Sequence, residues 1–293
     1  LNYLMSLISL DNDKLFLEIS PEMGASITKF KNVNSRNDIF RPFSNTKKLI
    51  KKNCYFAGYF ATVPYFGAIP KKSFLYKKKF VSLPKTHSLE PDTIHGEGWV
   101  SQWKVKSKSK ISAELVFNHD GKKGFPFKYR VNQEFILKNK SLFINISITN
   151  IDKESFNCGI GFHPWFNISK FSRIYSNNFT YIKEYPKKVF NKKLFSRKKF
   201  LDLNKFKIDK TFINWNGRAK LVINKDTTIE IKNKKNINNL HVYSPPNENF
   251  FCIEPVTNIG DAYKIKKYSK MYQGLKVLKT NKNFEAKVEF KLI

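Results

Sequence analysis

The chain has 293 residues, of which 41% are hydrophobic and 15% aromatic, enough apolar material for a sizeable core and too much for a disordered polymer. The formal net charge of +31 points first to nucleic acid or an anionic surface, yet only six of the 54 basic residues are arginine: Arg36, Arg41, Arg130, Arg173, Arg197 and Arg218. Base readers and phosphate clamps rely on the planar arginine fork, so a lysine excess scattered along a chain rich in Asn, Ile and Phe reads as A/T-rich codon usage, not as a nucleic-acid surface.

In chain order, Leu1–Leu10 has a short apolar flavour but no basic start, and Asp11 and Asp13 follow at once, which disfavours a signal peptide. Lys14–Ile19 alternates, and a strand there places Leu15, Leu17 and Ile19 on one face. Lysines are densest in Lys47–Lys52, Lys71–Lys79, Lys104–Lys110 and Lys187–Lys199. Trp103–Val105 and Ser112–Phe117 flank one such run, as a hairpin does. Tyr129–Leu137 and Leu142–Ile148 form a second predicted hairpin across Lys138–Ser141. Phe171–Asp209 is the least regular stretch and reads as an excursion from the sheets that shapes a binding site. Leu221–Ile223 with Thr227–Ile231, and Leu275–Leu278 with Phe284–Leu292, complete the predicted hairpins.

No long amphipathic helix, repeat or linker interrupts these runs, and no segment approaches the roughly 18 apolar residues of a membrane span. The pattern predicts an all-β chain forming a large antiparallel β-sandwich in a single domain over residues 1–293. Cys54, Cys158 and Cys252 lie far apart without metal-ligand spacing, and are expected to be free buried thiols in a reducing compartment.

Three segments depart from plain strand patterning. They are Ile94-His95-Gly96-Glu97-Gly98-Trp99, with Trp103 following; Gly159-Ile160-Gly161-Phe162-His163-Pro164-Trp165-Phe166; and Phe251-Cys252-Ile253-Glu254-Pro255-Val256-Thr257-Asn258. Each sets a titratable side chain beside Gly or Pro with aromatics close by, and aromatic faces suit the apolar faces of sugar rings. His87, His119 and His241 lack such a context and read as structural histidines.

These motifs, in this order, resemble the aldose 1-epimerase (galactose mutarotase) family. The likeness extends over nearly the whole chain, through Ile19–Ile27, Asp38–Pro42, Phe125-Pro126-Phe127, Asn150, Asp209–Phe212, Trp215-Asn216-Gly217, Tyr243-Ser244-Pro245-Pro246 and Asp261-Ala262-Tyr263. It implies a galactose mutarotase-like supersandwich that interconverts the α and β anomers of a hexose. By that likeness Glu254 is the general base at the C1 hydroxyl and His163 the general acid at the ring oxygen. Reference pKa values of about 4.3 and about 6.5 suit those tasks near neutrality. His95 and Asp209 are the implied substrate-binding residues, with Trp165 and Phe66 as ring-stacking candidates. The imidazole and the carboxylate are expected on opposite sides of a pyranose-sized hollow. No metal, nucleotide or other cofactor is required. The expected setting is a cytoplasmic monomer or homodimer whose partner is a small-molecule sugar, with neither nucleic acid nor membrane.

After Val63-Pro64-Tyr65 the family commonly has Asn-Arg, where this chain has Phe66-Gly67-Ala68-Ile69, and the late Pro-Gly turn is replaced by Thr280–Asn283. The lost arginine leaves a hexose-6-phosphate 1-epimerase and a non-catalytic carbohydrate-binding protein as alternatives. Phe66-Gly67 and the positive charge fit the former, but no arginine lies near His95.

Overall fold

A computed structural model describes residues 6–43, 54–177, 179–185, 188–193, 200–260, 262–263 and 274–293. The N-terminal Leu1–Met5, the Lys47–Lys52 run, most of Lys187–Lys199 and Asp261 fall outside the described residues, wholly or in their side chains.

Alternation of apolar and polar residues builds two large antiparallel sheets. The first has ten described strands, in spatial order Ile8–Asp11, Leu15–Ser20, Ser26–Asn32, Tyr59–Thr62, Gly161–Asn167, Phe250–Val256, Asn239–Ser244, Ile208–Phe212, Thr180–Tyr185 and Lys188–Lys193. The second has nine: Phe200–Asp202, Arg173–Tyr175, Arg218–Val222, Thr228–Lys235, Asn283–Leu292, Ser141–Asn150, Lys128–Lys138, Ser112–Asp120 and Lys104–Lys108. Helical structure among the described residues is confined to three-residue 3₁₀ turns, and no helix is long and apolar enough to cross a membrane.

The sheets meet across one hydrophobic cluster, to which Phe162, Phe251, Ile253 and Val242 contribute from the first and Phe135, Ile144, Val288 and Phe290 from the second. Each such buried side chain contributes about 1.5–3 kcal/mol relative to exposure. Phe40 meets Phe290 edge-on at 5.1 Å, and Gln133 Nε2 donates to the Tyr59 hydroxyl across the gap at 3.2 Å. The second sheet shows the one-sided alternation expected of a solvated outer face, as in Lys128–Lys138, where every second residue is buried. The central strands of the first sheet differ. Gly161–Phe166 and Phe251–Val256 are buried throughout, so their second face is covered as well.

Leu15, Leu17 and Ile19 are fully buried, as the alternation predicts. The hairpins at 103–117, 129–148 and 221–231 form, with Leu137 opposite Leu142. The three cysteines are free and buried. Two expectations require correction. Lys276–Leu278 does not pair with the final strand; it pairs with Phe156–Cys158, while Asn283–Leu292 is inserted between Ser141–Asn150 and Thr228–Lys235. Burial explains the choice: the last strand has an apolar face that needs two neighbours, whereas Val277 is largely exposed. The stretch from Phe171 to Asp209 is no excursion either, because its described parts supply edge strands to both sheets.

Asn150 ties the displaced strand down. Its buried amide donates to Glu154 O and Leu278 O, both at 2.8 Å, and its Oδ1 accepts the Asp152 N–H. Asn150→Ala strands these carbonyls and is expected to lower stability by about 1–3 kcal/mol, read as a lower denaturant midpoint at unchanged slope.

Candidate active site

The covered face of the first sheet is the floor of a cavity of about 790 Å³. Two adjacent rows of cross-strand partners supply its chemistry. In the first row Phe60 pairs with His163, Glu254 with His241, and His241 with Thr211. The register that sets Gly161 against Val256 and Trp165 against Cys252 puts His163 opposite Glu254. In the second row Trp165 pairs with Cys252, Cys252 with Tyr243, and Tyr243 with Asp209. Because side chains alternate with period two, all of these project from one face while Phe162, Phe166, Ile253 and Val242 project into the core.

His163 Nε2 lies 3.4 Å from Glu254 Oε2, with both side chains under a tenth exposed. The sequence motifs thus converge, but not as expected: the imidazole and the carboxyl stand side by side on neighbouring strands, not on opposite walls. Burial drives His163 well below the usual histidine range, with the nearby His95 and His241 acting in the same direction. Burial, then the charge of Asp209, drives Glu254 well above the usual carboxylate range. Both directions favour a neutral imidazole beside a protonated carboxyl. Among the described residues, His163 Nδ1, Glu254 Oε2 and the Trp165 indole nitrogen have no hydrogen-bond partner, and all three side chains line the cavity.

His95 is held in a different state. Its backbone and that of Gly96 are left-handed, at φ 62° and 68°. A Cβ on Gly96 would lie 2.3 Å from Pro64 Cδ, so only glycine fits the turn that carries the imidazole inward. The Gly67 N–H donates to His95 Nδ1 at 3.1 Å. That fixes the proton on Nε2, and burial lowers the pKa to about 3, so His95 is a permanent neutral donor. Phe66 stacks on His95 at 5.3 Å and meets His241 edge-on at 5.0 Å. Asn258 clamps Phe66 by accepting its N–H and donating to its carbonyl. Phe66 therefore packs on two imidazoles.

Trp165 lies nearly parallel to His163, at 5.3 Å and 15°, with the Arg41 guanidinium carbon 4.1 Å over its ring. Arg41 itself donates to the carbonyls of Tyr55 and Ala57. Asp209 stands at the rim, 73% exposed, 3.2 Å from His241 Nε2. The reading of His241 as structural is corrected by this placement, since it lines the cavity between Glu254 and Thr211. Its signal in the sequence was only that Leu240-His241-Val242 alternates in step with Glu254. His87 and His119 stay outside the cavity lining; His119 Nε2 meets Phe125 O at 2.6 Å. Glu97, in the first histidine motif, is a buried clamp accepting from the Phe125 N–H and the Tyr129 hydroxyl. Tyr55 and Glu90, hydrogen-bonded to each other on the cavity wall, carried no sequence signal.

Among the described residues, one group offers a metal-like donor set: His163, Cys252 and Glu254, with donor atoms within 4.8 Å of one another. Burial raises the proton affinity of both the Cys252 thiol and the Glu254 carboxyl, so a cation there would displace two protons.

The two large antiparallel sheets have the form of the galactose mutarotase-like fold. The chain belongs to the aldose 1-epimerase family, whose model matches residues 6–291. It resembles the solved structures of galactose mutarotase-like proteins from Clostridium acetobutylicum (18% identity, 98% of this chain and 95% of that one, TM-score 0.81) and Lactobacillus casei (17%, 98% and 100%, 0.80). It is also 25% identical over 223 residues to the uncharacterized protein YphB of Escherichia coli, covering 74% of this chain and 73% of that protein.

Desolvation of Glu254 has a measurable cost. A buried carboxyl whose folded pKa is raised binds its proton more tightly than in the unfolded chain, so stability falls as pH rises above the unfolded value. Glu254→Gln is therefore expected to melt higher than wild type at about pH 7.5 and to match it near pH 4, where both forms are neutral. A variant that melts lower at both pH values would contradict this.

Proposed function

We propose that the protein is an aldose 1-epimerase acting on a free, unphosphorylated hexose, and that the His163–Glu254 pair performs the proton transfers. The observation that carries this reading is the 3.4 Å contact between the pair on the cavity floor. The C1 hydroxyl and the ring oxygen of a pyranose are bonded to the same carbon, so an acid and a base that stand next to each other, as these do, reach both at once.

The pair holds one proton in either of two arrangements, imidazole with carboxylic acid or imidazolium with carboxylate. In the second, Glu254 takes the proton from the C1 hydroxyl while His163 protonates O5. The C1–O5 bond breaks, giving an open-chain aldehyde. Rotation about C1–C2 presents the other carbonyl face, and reclosure returns both protons with acid and base exchanged. Substrate hydroxyls donating to the carboxylate favour this arrangement; the buried empty pair rests in the other. His95 donates its Nε2–H to the ring oxygen or a neighbouring hydroxyl, Asp209 binds hydroxyls, and Trp165 and Phe66 line the apolar side.

The cavity chemistry supports a neutral sugar. Among the described lining residues Lys210 is the one Lys or Arg, set against Glu90, Asp209 and Glu254. A phosphate would meet three carboxyl groups and no guanidinium fork, despite the +31 charge of the chain.

Polarimetry of freshly dissolved α-hexoses is expected to show acceleration, with hexose 6-phosphates turned over more slowly than the free sugars. Binding without acceleration would overturn the enzymatic reading, and a preference for the phosphates would overturn the substrate class. Glu254→Gln and His163→Asn should each lower the rate by about 10²–10⁴-fold, and His95→Asn by less. Near wild-type rates in either of the first two would remove that residue from the mechanism. Because catalysis requires one shared proton, the pH–rate profile should be bell-shaped, its acid limb below the ordinary histidine range.

A further inference from the structure

We propose that His241 is a positioning residue for Asp209, setting sugar affinity without itself exchanging protons with the sugar. The inference rests on the hydroxyl-binding role given to Asp209 above. Three histidines line the cavity, and their hydrogen-bond partners separate their tasks. His163 leaves Nδ1 without a partner and presents Nε2 to Glu254, so it is able to pass a proton. His95 is locked as a donor by the Gly67 N–H. His241 is engaged at both nitrogens: Nδ1 lies 2.9 Å from Thr211 Oγ1 and Nε2 lies 3.2 Å from Asp209 Oδ1.

The polarity of that chain follows from its ends. An ionised carboxylate only accepts, so His241 Nε2 carries a proton toward Asp209. The Gly260 N–H donates to Thr211 Oγ1 at 3.1 Å, which leaves the hydroxyl proton of Thr211 for His241 Nδ1. The order is Gly260 N–H to Thr211, Thr211 to His241, and His241 to Asp209. A backbone amide thus anchors a row that ends on a side chain at the cavity rim.

His241 holds Asp209 Oδ1 from the cavity side. The Asp209 side chain is 73% exposed and sits on Ile208–Phe212, a strand whose Asp209 and Lys210 are both exposed. Ordering an exposed carboxylate before the sugar binds lowers the entropy lost on binding. The imidazole of His241 is 10% exposed and wedged against the edge of Phe66, so its own orientation is already fixed. Its hydrogen bond transfers that order to Asp209 before the sugar arrives.

The test is steady-state anomer exchange by NMR on wild type, His241→Leu, His241→Gln, Asp209→Ala and the His241→Leu/Asp209→Ala double variant, each checked by its melting curve. His241→Leu is expected to raise KM about tenfold with kcat within about twofold of wild type, the signature of lost uniform binding. His241→Gln, which keeps an N–H facing Asp209, should recover most of the affinity and serves if the leucine variant folds poorly. In the Asp209→Ala background His241→Leu should add nothing. A fall in kcat with a displaced pH profile in His241→Leu would make His241 a proton carrier and overturn the proposal. A KM effect that persists undiminished without Asp209 would overturn it as well. If wild type shows no turnover, the proposed reaction fails by itself, and calorimetric titration of the same five proteins with hexose still decides whether His241 acts through Asp209.

Discussion

Directly opposed residues on antiparallel strands sit with their Cβ atoms about 4.5–5.5 Å apart, and five successive strands of the first sheet keep one register across the cavity floor. Phe60, His163, Glu254, His241 and Thr211 are neighbours for that reason, although almost two hundred residues separate the first from Glu254. A slip of one residue in any of these strands would turn its polar members into the core and its Phe, Ile and Val onto the floor. The packing of Phe162, Phe251, Ile253 and Val242 against the second sheet therefore does more than stabilise. It fixes which side chains face the cavity and at what spacing.

Covering both faces of the central strands has an electrostatic consequence. The same burial that seals the core side leaves His163 and Glu254 almost without water on the other, and their charged forms become costly. A pair that shares one proton escapes most of that cost, because its neutral arrangement is always available. The scaffold tolerates His163 Nδ1 and Glu254 Oε2 without hydrogen bonds because a large apolar cluster lies beneath their strands. Buried polar groups without partners are destabilising, and they concentrate where chemistry is done.

The two-sheet architecture was legible because period-two alternation is explicit in segments such as Leu15–Ile19 and Lys128–Lys138. The motifs around His95, His163 and Glu254 were legible because Gly and Pro mark unusual backbone beside them. Pairing partners were not. Local alternation cannot say that Lys276–Leu278 goes to Phe156–Cys158, since that choice depends on which neighbour buries the apolar face of the last strand. Nor could it distinguish a hollow between two walls from a pair standing together on one floor. His241 is inconspicuous for a related reason: its context is plain strand, and its setting comes from the residues that register places beside it. Tyr55 and Glu90 reach the wall from outside the ten-stranded sheet, where no periodicity exists to read.

Cys252 occupies the second row between Trp165 and Tyr243, next to the His163–Glu254 pair. Its thiol is fully buried, and burial pushes its proton affinity well above the ordinary thiol range. Alkylating reagents attack the thiolate, so this sulfur stays silent while the strands remain paired. With Cys54 and Cys158 replaced, the speed at which it is labelled becomes a gauge of how often the central strands breathe apart, a quantity that turnover measurements never sample.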